Sequence, residues 1–511
     1  MRRKRILLSK ANSIPQDTCG VDITPLVPEV YAAYRPLVAD AVAFFLQHLS
    51  APRLTAILAE QQALPGDASV SQRLTSLLFH CPTLQKLGQL VARNRRLDRE
   101  LRSRLQALET MPGMACADAV KQVIRSELRD IPAGVLQFDS TALAEASVSV
   151  VVPFSLIFGE LSDPSASGVL KVLKPGIEEF LEEELVIWSE LGQFIDERCE
   201  YYKIPPLNYA ESLETIRELL AREIRLDREQ RHLAEAAEFY KDDAKRIQIP
   251  SLFPFCTSRI TAMERVYGRK VTDVGALSER HRRRLANSVI EALIARPVWT
   301  PQETTIFHAD PHAGNLFFTE DERLAILDWS LTGHLGKVER VHIVQLLLGA
   351  LTLDPKRIVQ EIAALAQTPV NESALRTVVD KALGKLYAGE FPSFHWFQSL
   401  LDNALLSVGV QFSSELLLYR KSILTIEGVV ADISGTSSIG HVLPASAIRQ
   451  FLCEMTARAL APPTSRHFGT HLSNLDLLFS LYWGGPTAVA RFWTHHWQGR
   501  LTALIGEPTE P

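Results

Sequence analysis

One segment in the second half of the chain constrains its fold and chemistry more than any other feature. It reads His-Ala-Asp-Pro-His-Ala-Gly-Asn over 308–315 and continues, after a polar break, as Leu-Ala-Ile-Leu-Asp over 324–328. Short β-like runs around the loop predict a hairpin after it; they lie at 305–307, 316–318 and 324–327. A loop followed by a hairpin brings Asp310, Asn315 and Asp328 together.

Two carboxylates and an amide at this spacing suit phosphoryl transfer. That reaction needs a carboxylate beside the accepting oxygen, oxygen ligands for Mg²⁺ and a lysine on the nucleotide phosphates. Asp310 is the candidate for the first role, and Asn315 with Asp328 for the second. The separation of Asp310 from Asn315 matches the catalytic-loop pattern H-x-D-x-x-x-x-N, in which His308 is the first residue.

The histidines of the segment also allow a metal centre as an alternative interpretation. Alternate residues of a strand share one face, so several ligands would come from the loop and one from further along the chain. They are His308, Asp310 and His312, with His334 or His342. Pro311 disrupts a strand at this point, and a metal centre would leave Asn315 without a role.

A lysine between apolar neighbours supplies the cation that phosphoryl transfer requires. Lys171 lies in Val-Leu-Lys-Val-Leu over 169–173, and a stretch rich in Val, Ile and Phe over 148–161 predicts the neighbouring strand. This setting is typical of the lysine that contacts nucleotide phosphates. The alternative is a lysine on an edge strand that points into solvent.

Composition and charge limit the class of protein. The 511 residues are 46% hydrophobic and 22% charged, which is typical of a folded globular chain. A net charge of −5 gives no whole-chain attraction to nucleic acid, so no nucleic-acid partner is expected. The six cysteines form no C-x-x-C pair, which predicts a reducing, cytoplasmic compartment. Because the apolar stretches are shorter than the roughly 18 residues of a membrane-spanning helix, we expect no transmembrane segment.

The order of the patterns predicts an α+β protein of two lobes, a small β-rich lobe and a larger helical one. The predicted segments are a helical extension at 1–82, a helical segment at 83–140, the small lobe at 141–268, the large lobe at 269–434 and a helical tail at 435–511. Apolar residues in the tail have helical spacing: Val489, Trp493, Trp497, Leu501 and Leu504. We expect this face to pack on the large lobe; contact with a membrane surface is the alternative.

At these residues the chain resembles the UbiB (AarF) family of atypical protein-kinase-like proteins. The catalytic segment of that family reads H-A-D-P-H-P-G-N and is followed by L-D-F-G. The resemblance runs from about residue 84 to about residue 433. The K-x-G-Q motif of the family appears as Lys86-Leu-Gly88-Gln89, its alanine-rich loop at 144–147 and its strand-end signature at 171–176.

The resemblance implies a protein-kinase-like fold and a set of functional residues. Asp310, Lys171 and His308 would be catalytic, and Asn315 and Asp328 would ligate the metal. The implied nucleotide-binding residues are Ala144, Ala146, Ser147, Lys171, Glu223, Glu229, Glu264, Asn315 and Asp328. Either Glu223 or Glu229 is expected to pair with Lys171.

The resemblance also implies cofactors and partners. The cofactors are Mg²⁺ and ATP or ADP, and the activity is ATP hydrolysis or phosphorylation of a small or lipid-like acceptor. The usual setting of the family is ubiquinone biosynthesis. Contact with the periphery of a membrane, or with proteins of quinone biosynthesis, is a further expectation.

Two departures from the family pattern favour a non-catalytic nucleotide-binding scaffold as an alternative. Ser330 stands where the family has glycine, and a positive φ at that position would cost about 1 to 2 kcal/mol. Glu145 replaces a small residue in the loop expected over the phosphates, where an unpaired carboxylate would repel them.

A small-molecule phosphotransferase of the aminoglycoside or choline type is the other alternative. Such enzymes share H-x-D-x-x-x-x-N and often have Asp-Trp, as in Asp328-Trp329. The K-x-G-Q motif at Lys86 and the alanine-rich loop argue against this class.

Overall fold

The computed structural model describes residues 26–91, 101–103, 105, 117–132, 135–139, 142–145, 148–157, 167–204, 213–214, 217, 224–390 and 392–505. The chain divides into two units, one of residues 1–231 with 251–265 and the other of 232–250 with 266–511. The first contains a small sheet and the second is mainly helical, so the predicted α+β class is confirmed. The boundary differs from the prediction, because the first unit ends at 265 rather than 268 and the second also takes 232–250.

The first part of the chain forms helices before the sheet begins. A 3₁₀ helix, Glu29–Tyr34, precedes α1 (Arg35–His48), α2 (Ala51–Ala63), α3 (Val70–Phe79), α4 (Pro82–Val91) and α5 (Ala117–Glu127). The strands and helices that follow are β1 (Leu136–Phe138), β2 (Ala144–Glu145), β3 (Ser149–Leu156), β4 (Ser167–Leu173), α6 (Ile177–Tyr202), α7 (Leu226–Tyr240), β5 (Ile247–Gln248) and β6 (Ile260–Glu264). Of these, β5 and the part of α7 from His232 onward belong to the second unit.

The sheet of the first unit is antiparallel, in the order β1-β3-β4-β6, with β2 on β3. Lys171 lies in β4 between Val151 of β3 and Thr261 of β6. It is therefore on a central strand, and the edge-strand alternative is wrong. The strand predicted over 148–161 ends at Leu156, and residues 158–166 lie outside the described part of the chain.

Two apolar clusters hold the first unit together. One face of the sheet packs on α5, where Val150, Val152 and Leu170 meet Val123 and Ile124. The second cluster joins the N-terminal helices to α6; its buried members are Phe45, Leu46, Leu49, Ile57, Leu77, Leu78, Cys81, Leu84, Leu101, Leu105, Ile187 and Trp188. The helical extension is thus part of the same unit as the sheet and packs on α6.

The second unit contains short strands and a succession of helices. After β7 (Gly268–Lys270), helix α8 (Glu279–Ile290) continues through a π-helical turn, Glu291–Ala295. The strands that follow are β8 (Thr304–His308), β9 (Leu316–Thr319), β10 (Leu324–Ile326) and β11 (Thr332–Gly336). The later helices are α9 (Lys337–Leu351), α10 (Pro355–Leu365), α11 (Glu372–Tyr387), α12 (Phe394–Asn403), α13 (Ser414–Ile433), α14 (Ile439–Leu460), α15 (Asn474–Phe479) and α16 (Gly485–Ile505).

The predicted hairpin around the catalytic segment is confirmed. Strands β9 and β10 are antiparallel, with Leu316 opposite Ile326. Strand β8, which leads into the segment, pairs separately with β11. The backbone N–H of Leu327 donates to the carbonyl oxygen of Asn315 at 2.8 Å, so the hairpin brings Asn315 next to the residue that precedes Asp328.

Candidate functional site

In the first unit, Lys171 forms a bidentate ion pair with Glu229. Its Nζ lies 2.8 Å from each carboxylate oxygen, and the two side chains are 12% and 4% exposed. Gln230, the next residue of α7, donates to the carbonyl of Ile260 and to Oγ1 of Thr261, which ties the helix to β6 beside Lys171. The expected pairing of this lysine with an acidic residue is therefore confirmed for Glu229.

The alanine-rich loop begins at β2. Ala144 is exposed and pairs with Val151 of β3. The predicted residues Ala146, Ser147 and Glu223 lie outside the described part of the chain.

Glu145, whose carboxylate would repel phosphates if it were unpaired, has a cationic partner. Its side chain is 4% exposed, and its Oε1 lies 2.6 Å from Nζ of Lys174, at the end of β4. The lysine neutralises the charge, so Glu145 no longer favours a non-catalytic scaffold. Lys174 is a residue that the sequence analysis missed, although it lies within the strand-end signature at 171–176.

We expect Lys174→Met to destabilise the first unit by about 3 kcal/mol, because it leaves the Glu145 carboxylate buried without its lysine. Lys241→Met is the matched control, since the partner of Lys241, Glu238, is 73% exposed. Such an exposed pair contributes roughly 0 to 1 kcal/mol. Denaturant unfolding measures both, and a double variant that adds Glu145→Gln should recover most of the loss. Equal stability of the Lys174 and Lys241 variants would contradict the burial argument.

Four other predicted residues of the first unit lie on regular elements. Lys86, Gly88 and Gln89 belong to α4; Gly88 is buried, and the side chain of Gln89 lies outside the described part. Glu264 is the last residue of β6, and its Oε2 accepts hydrogen bonds from the backbone N–H and the hydroxyl of Ser251 at 3.2 and 3.3 Å.

In the second unit, the catalytic segment is held by bonds within the loop itself. The backbone carbonyl of Asp310 accepts from the amide of Asn315 at 3.1 Å and from the N–H of His312 at 2.9 Å. Nδ1 of His312 accepts from the N–H of Gly314, where a Cβ would lie 2.8 Å from the imidazole ring, so a larger residue there would displace that ring. The loop geometry thus depends largely on main-chain groups, and the Asp310 carboxylate lies 3.9 Å from Nε2 of His312.

His308 is a neutral anchor of this loop. Its Nδ1 accepts from the N–H of Asp310 at 3.2 Å, which makes Nε2 the protonated nitrogen; that atom donates to the carbonyl of Leu327 at 3.0 Å. The side chain is buried, and burial lowers its pKa. The hydroxyl of Ser422 on α13 donates to the His308 carbonyl at 2.8 Å. His308 therefore positions the loop rather than exchanging protons.

We expect His308→Leu to cost about 2 to 4 kcal/mol of stability, because it removes a buried side chain whose imidazole bonds to the Asp310 N–H and the Leu327 carbonyl. His441→Leu is the control, since that histidine is exposed. Thermal or denaturant unfolding measures the difference. If both variants were equally stable, the two hydrogen bonds of His308 would not support the loop.

The positive φ that the sequence suggested for Ser330 is found at Asp328 instead. Its φ is +53°, in the left-handed region, whereas Ser330 is not among the residues of positive φ in the described chain. Asp tolerates this conformation better than most residues because its short side chain bonds locally; here Oδ1 accepts from the N–H of Ser330 at 3.3 Å. The expected strain at Ser330 is therefore absent, and Ser330 does not favour a non-catalytic scaffold either.

The buried side chain of Trp329 holds the backbone next to Asp328 in place. The indole is fully buried, donates to the carbonyl of Ile326 at 3.2 Å and packs edge-on against the ring of His308. The Trp329 carbonyl in turn lies 3.1 Å from Nδ1 of His232. His232 is a further supporting residue that gave no signal in the sequence.

The alternative metal centre is not found. Within the described ranges, no cluster of three or more His, Cys, Asp or Glu side chains could hold a metal ion. Two of the proposed ligands have acidic partners elsewhere in the unit: His334 pairs with Glu235 and His342 with Glu361. Asn315 and Asp328 keep the role of candidate ligands for a hard cation, which prefers amide and carboxylate oxygens.

Residues 109–362 match the family model of the ABC1 atypical kinase-like domain. The chain is similar to curated proteins described as probable protein kinase UbiB. Relatives from Haemophilus ducreyi and Histophilus somni are each 26% identical, over 369 and 372 residues. Each comparison covers 68% of this chain and 65% of the relative. The chain therefore spans slightly less than two thirds of the length of these relatives.

A solved structure of a Mycobacterium tuberculosis protein in complex with erythromycin matches with a TM-score of 0.45 and 14% identity, over 79% of this chain and 94% of that one. The matches to curated relatives and to the domain model agree with the family whose motifs were found at Lys86, Lys171 and Asp310. The chain carries an ABC1 atypical kinase-like domain and is similar, over 68% of its length, to proteins described as probable protein kinase UbiB.

Proposed function

We propose that this protein is a UbiB-type ATPase or small-molecule kinase that acts on Mg-nucleotide. The bidentate pair of Lys171 with Glu229 carries the proposal, because it holds an ammonium group on a central strand in the way that phosphate binding requires. Lys171 would bind phosphate oxygens. Asn315 and Asp328 would hold Mg²⁺, which would neutralise charge on the phosphates.

The second unit supplies the groups for proton transfer and metal binding. The Asn315 amide nitrogen donates to the Asp310 carbonyl, so Oδ1 is its ligand atom. The Asp310 carboxylate is 20% exposed, which leaves it accessible to the hydroxyl of an acceptor or to water. We propose that it takes the proton of that nucleophile. The acceptor would be small or lipid-like, and the biological role would be the support of ubiquinone biosynthesis.

Mg-dependent ATP hydrolysis by the purified protein tests the activity. Turnover should depend on Mg²⁺ and should fall in Asp310→Asn and Asp328→Asn proteins. Equal turnover in all three would exclude the proposed site. Quinone extraction from a strain that lacks the gene tests the pathway: unchanged ubiquinone would exclude that role while leaving the activity untouched.

We also propose that the tail contacts a membrane surface as a peripheral element. The polar face of helix α16 packs on other helices of the second unit. Arg491 donates to the carbonyls of Thr352 and Leu353, and the rings of His495 and Tyr387 stack with their centroids 4.3 Å apart. The packing expected for the apolar face is wrong at the three residues whose side chains are described; those of Leu501 and Leu504 lie outside the described part. Val489, Trp493 and Trp497 are 58%, 58% and 57% exposed.

The composition of the tail favours a lipid surface as the partner. Residues 477–506 contain two arginines and two histidines but neither Asp nor Glu, so an anionic bilayer meets no repulsion there. Trp483 and Tyr482, just before α16, are also exposed, and indole and phenol rings are favoured at the membrane interface. In the described part of the chain, no helix combines the length and apolarity that crossing a membrane requires.

We expect the protein to float with anionic lipid vesicles and a Trp493→Ser, Trp497→Ser double variant to lose at least about tenfold in vesicle affinity, because two interfacial rings are removed. Tyr201→Ser is the control, since this tyrosine is 72% exposed on the first unit. Light scattering serves as the second measurement. A wild-type dimer that the double variant dissociates, without vesicle binding, would replace the membrane with a second copy of the chain.

A further inference from the structure

A buried carboxylate on α6 joins three helices of the first unit. Glu184 is fully buried, and its Oε2 accepts from both the backbone N–H and the hydroxyl of Thr83, at 2.9 and 2.6 Å. Its Oε1 accepts from a guanidinium nitrogen of Arg53 on α2. One side chain of α6 thus binds both α2 and the first turn of α4.

Thr83 is the point where α4 is fixed. It is the second residue of that helix, so its N–H belongs to the first turn, whose N–H groups have no partner within the helix. A carboxylate supplied from another helix satisfies this donor and is favoured by the helix dipole. The Thr83 hydroxyl also accepts from the indole N–H of Trp188 at 2.8 Å. Thr83 itself is fully buried, so water does not compete for these bonds.

Arg53 extends the same network to the N-terminal helices. Its guanidinium donates to Glu183 at 2.8 Å and to the backbone carbonyl of His80 at 2.9 Å, just before α4. It also stacks over the ring of Phe180 at 4.5 Å. The side chain is 8% exposed. The helical extension is therefore linked to α6 and to the approach to α4 by one desolvated cation.

Helix α6 contacts the two elements that carry Lys171 and Lys86. Helix α6 begins at Ile177, directly after the turn that ends β4, and Gly176 in that turn has φ +72°, which glycine adopts without strain. Ile177 packs on Leu173 of β4 and on Leu226 at the start of α7. Strand β4 carries Lys171. Helix α4, which α6 contacts through Glu184, carries Lys86 one turn after Thr83.

We propose that Glu184 is a positioning residue that fixes the first turn of α4 and so sets the place of Lys86 relative to the strand of Lys171. Arg53 is the second member of this anchor, and the N-terminal helices serve to hold the K-x-G-Q helix rather than to form a separate module. The part that concerns nucleotide rests on the proposed function and on a position of Lys86 at the nucleotide site, which the family resemblance at K-x-G-Q implies; the anchor itself rests on neither.

Thr83→Val and Thr83→Ser form the matched pair of test variants. Valine has nearly the shape of threonine but loses the hydroxyl, whereas serine keeps it. We expect hydrogen exchange of the backbone amides at 84–91 to become faster by about fivefold or more in Thr83→Val, because the variant loses the two buried hydrogen bonds of the hydroxyl, to Glu184 and from Trp188. Thr83→Ser and the control Thr55→Val, at an exposed threonine of α2, should stay within about twofold of the wild type. Unchanged exchange in Thr83→Val would overturn the anchor.

A double-variant cycle then asks whether the anchor acts through Lys86. The dissociation constant for Mg-ATP is measured for the wild type, Thr83→Val, Lys86→Met and the double variant. We expect Thr83→Val to weaken Mg-ATP binding by about fivefold when Lys86 is present and by less than about twofold in the Lys86→Met background, because the effects of substitutions at coupled residues do not add. Equal factors in both backgrounds would overturn the positioning role.

The two measurements separate the anchor from the proposed function. If the wild type bound no Mg-ATP, the proposed nucleotide site would fail, and hydrogen exchange would still decide on the anchor. Should Thr83→Val fail to fold, Glu184→Gln replaces it, since glutamine keeps the size of the side chain but loses the charge that faces Arg53. The same increase in exchange at 84–91 is then expected, and its absence would overturn the anchor.

Discussion

Asp310→Asn should lower the rate of ATP hydrolysis by about 10²-fold or more while Mg-nucleotide binding stays close to that of the wild type. The reason is that Asp310 holds the loop through its backbone: the N–H donates to His308, and the carbonyl accepts from Asn315. Asparagine keeps these bonds and the size of the side chain. The substitution therefore keeps the loop bonds and removes the carboxylate charge, which is the proposed proton acceptor and also faces His312 at 3.9 Å.

Steady-state hydrolysis and calorimetric titration together check this prediction. Asp273→Asn is the control, because Asp273 is exposed and receives the same chemical change. Turnover of the Asp310 variant equal to that of the control would show that the carboxylate accepts no proton in the rate-limiting step. A parallel loss of affinity and turnover would instead make Asp310 a binding residue.

Asp328→Asn should have the opposite signature, a loss of Mg-nucleotide affinity of at least about 10- to 100-fold. Removal of groups that merely support a metal ligand costs this much, so loss of a ligand charge should cost no less. The fold should persist, because asparagine shares with aspartate the tolerance of the left-handed conformation seen at φ +53°.

Calorimetry with and without Mg²⁺ measures this effect, and thermal unfolding verifies the fold. Affinity for nucleotide in the absence of the metal should change little. Undiminished affinity for Mg-nucleotide in the Asp328 variant would exclude it as a ligand. The two variants, read together, assign proton transfer and metal binding to separate carboxylates.

Local patterns in the sequence are sufficient to predict the elements that carry the site. Lys171 lies between apolar residues that alternate in a strand, and the strand is found over Ser167–Leu173. The run after the catalytic loop predicts a hairpin, which forms as β9 and β10. These predictions succeed because the burial of one face of a strand makes apolar residues recur at a short spacing, and this pattern can be found in the sequence alone.

Contacts between distant residues could not be predicted in this way. Glu145 meets Lys174 and Thr83 meets Glu184 only after the chain has folded, and no periodicity links either pair. The tail failed for a different reason. Its apolar spacing indicates that one face of a helix is distinct but does not indicate which face meets the protein, and at Trp493 that face is exposed.

The left-handed backbone of Asp328 has a consequence for the divergence of such proteins. Of the residues that can replace it, glycine and asparagine adopt this conformation most readily, and both lack a carboxylate. If Asp328 holds the metal as proposed, a single substitution there would abolish catalysis at little cost in folding, whereas β-branched replacements would be purged for instability. Descendants that have lost activity should carry glycine or asparagine at this position and retain an intact loop around it.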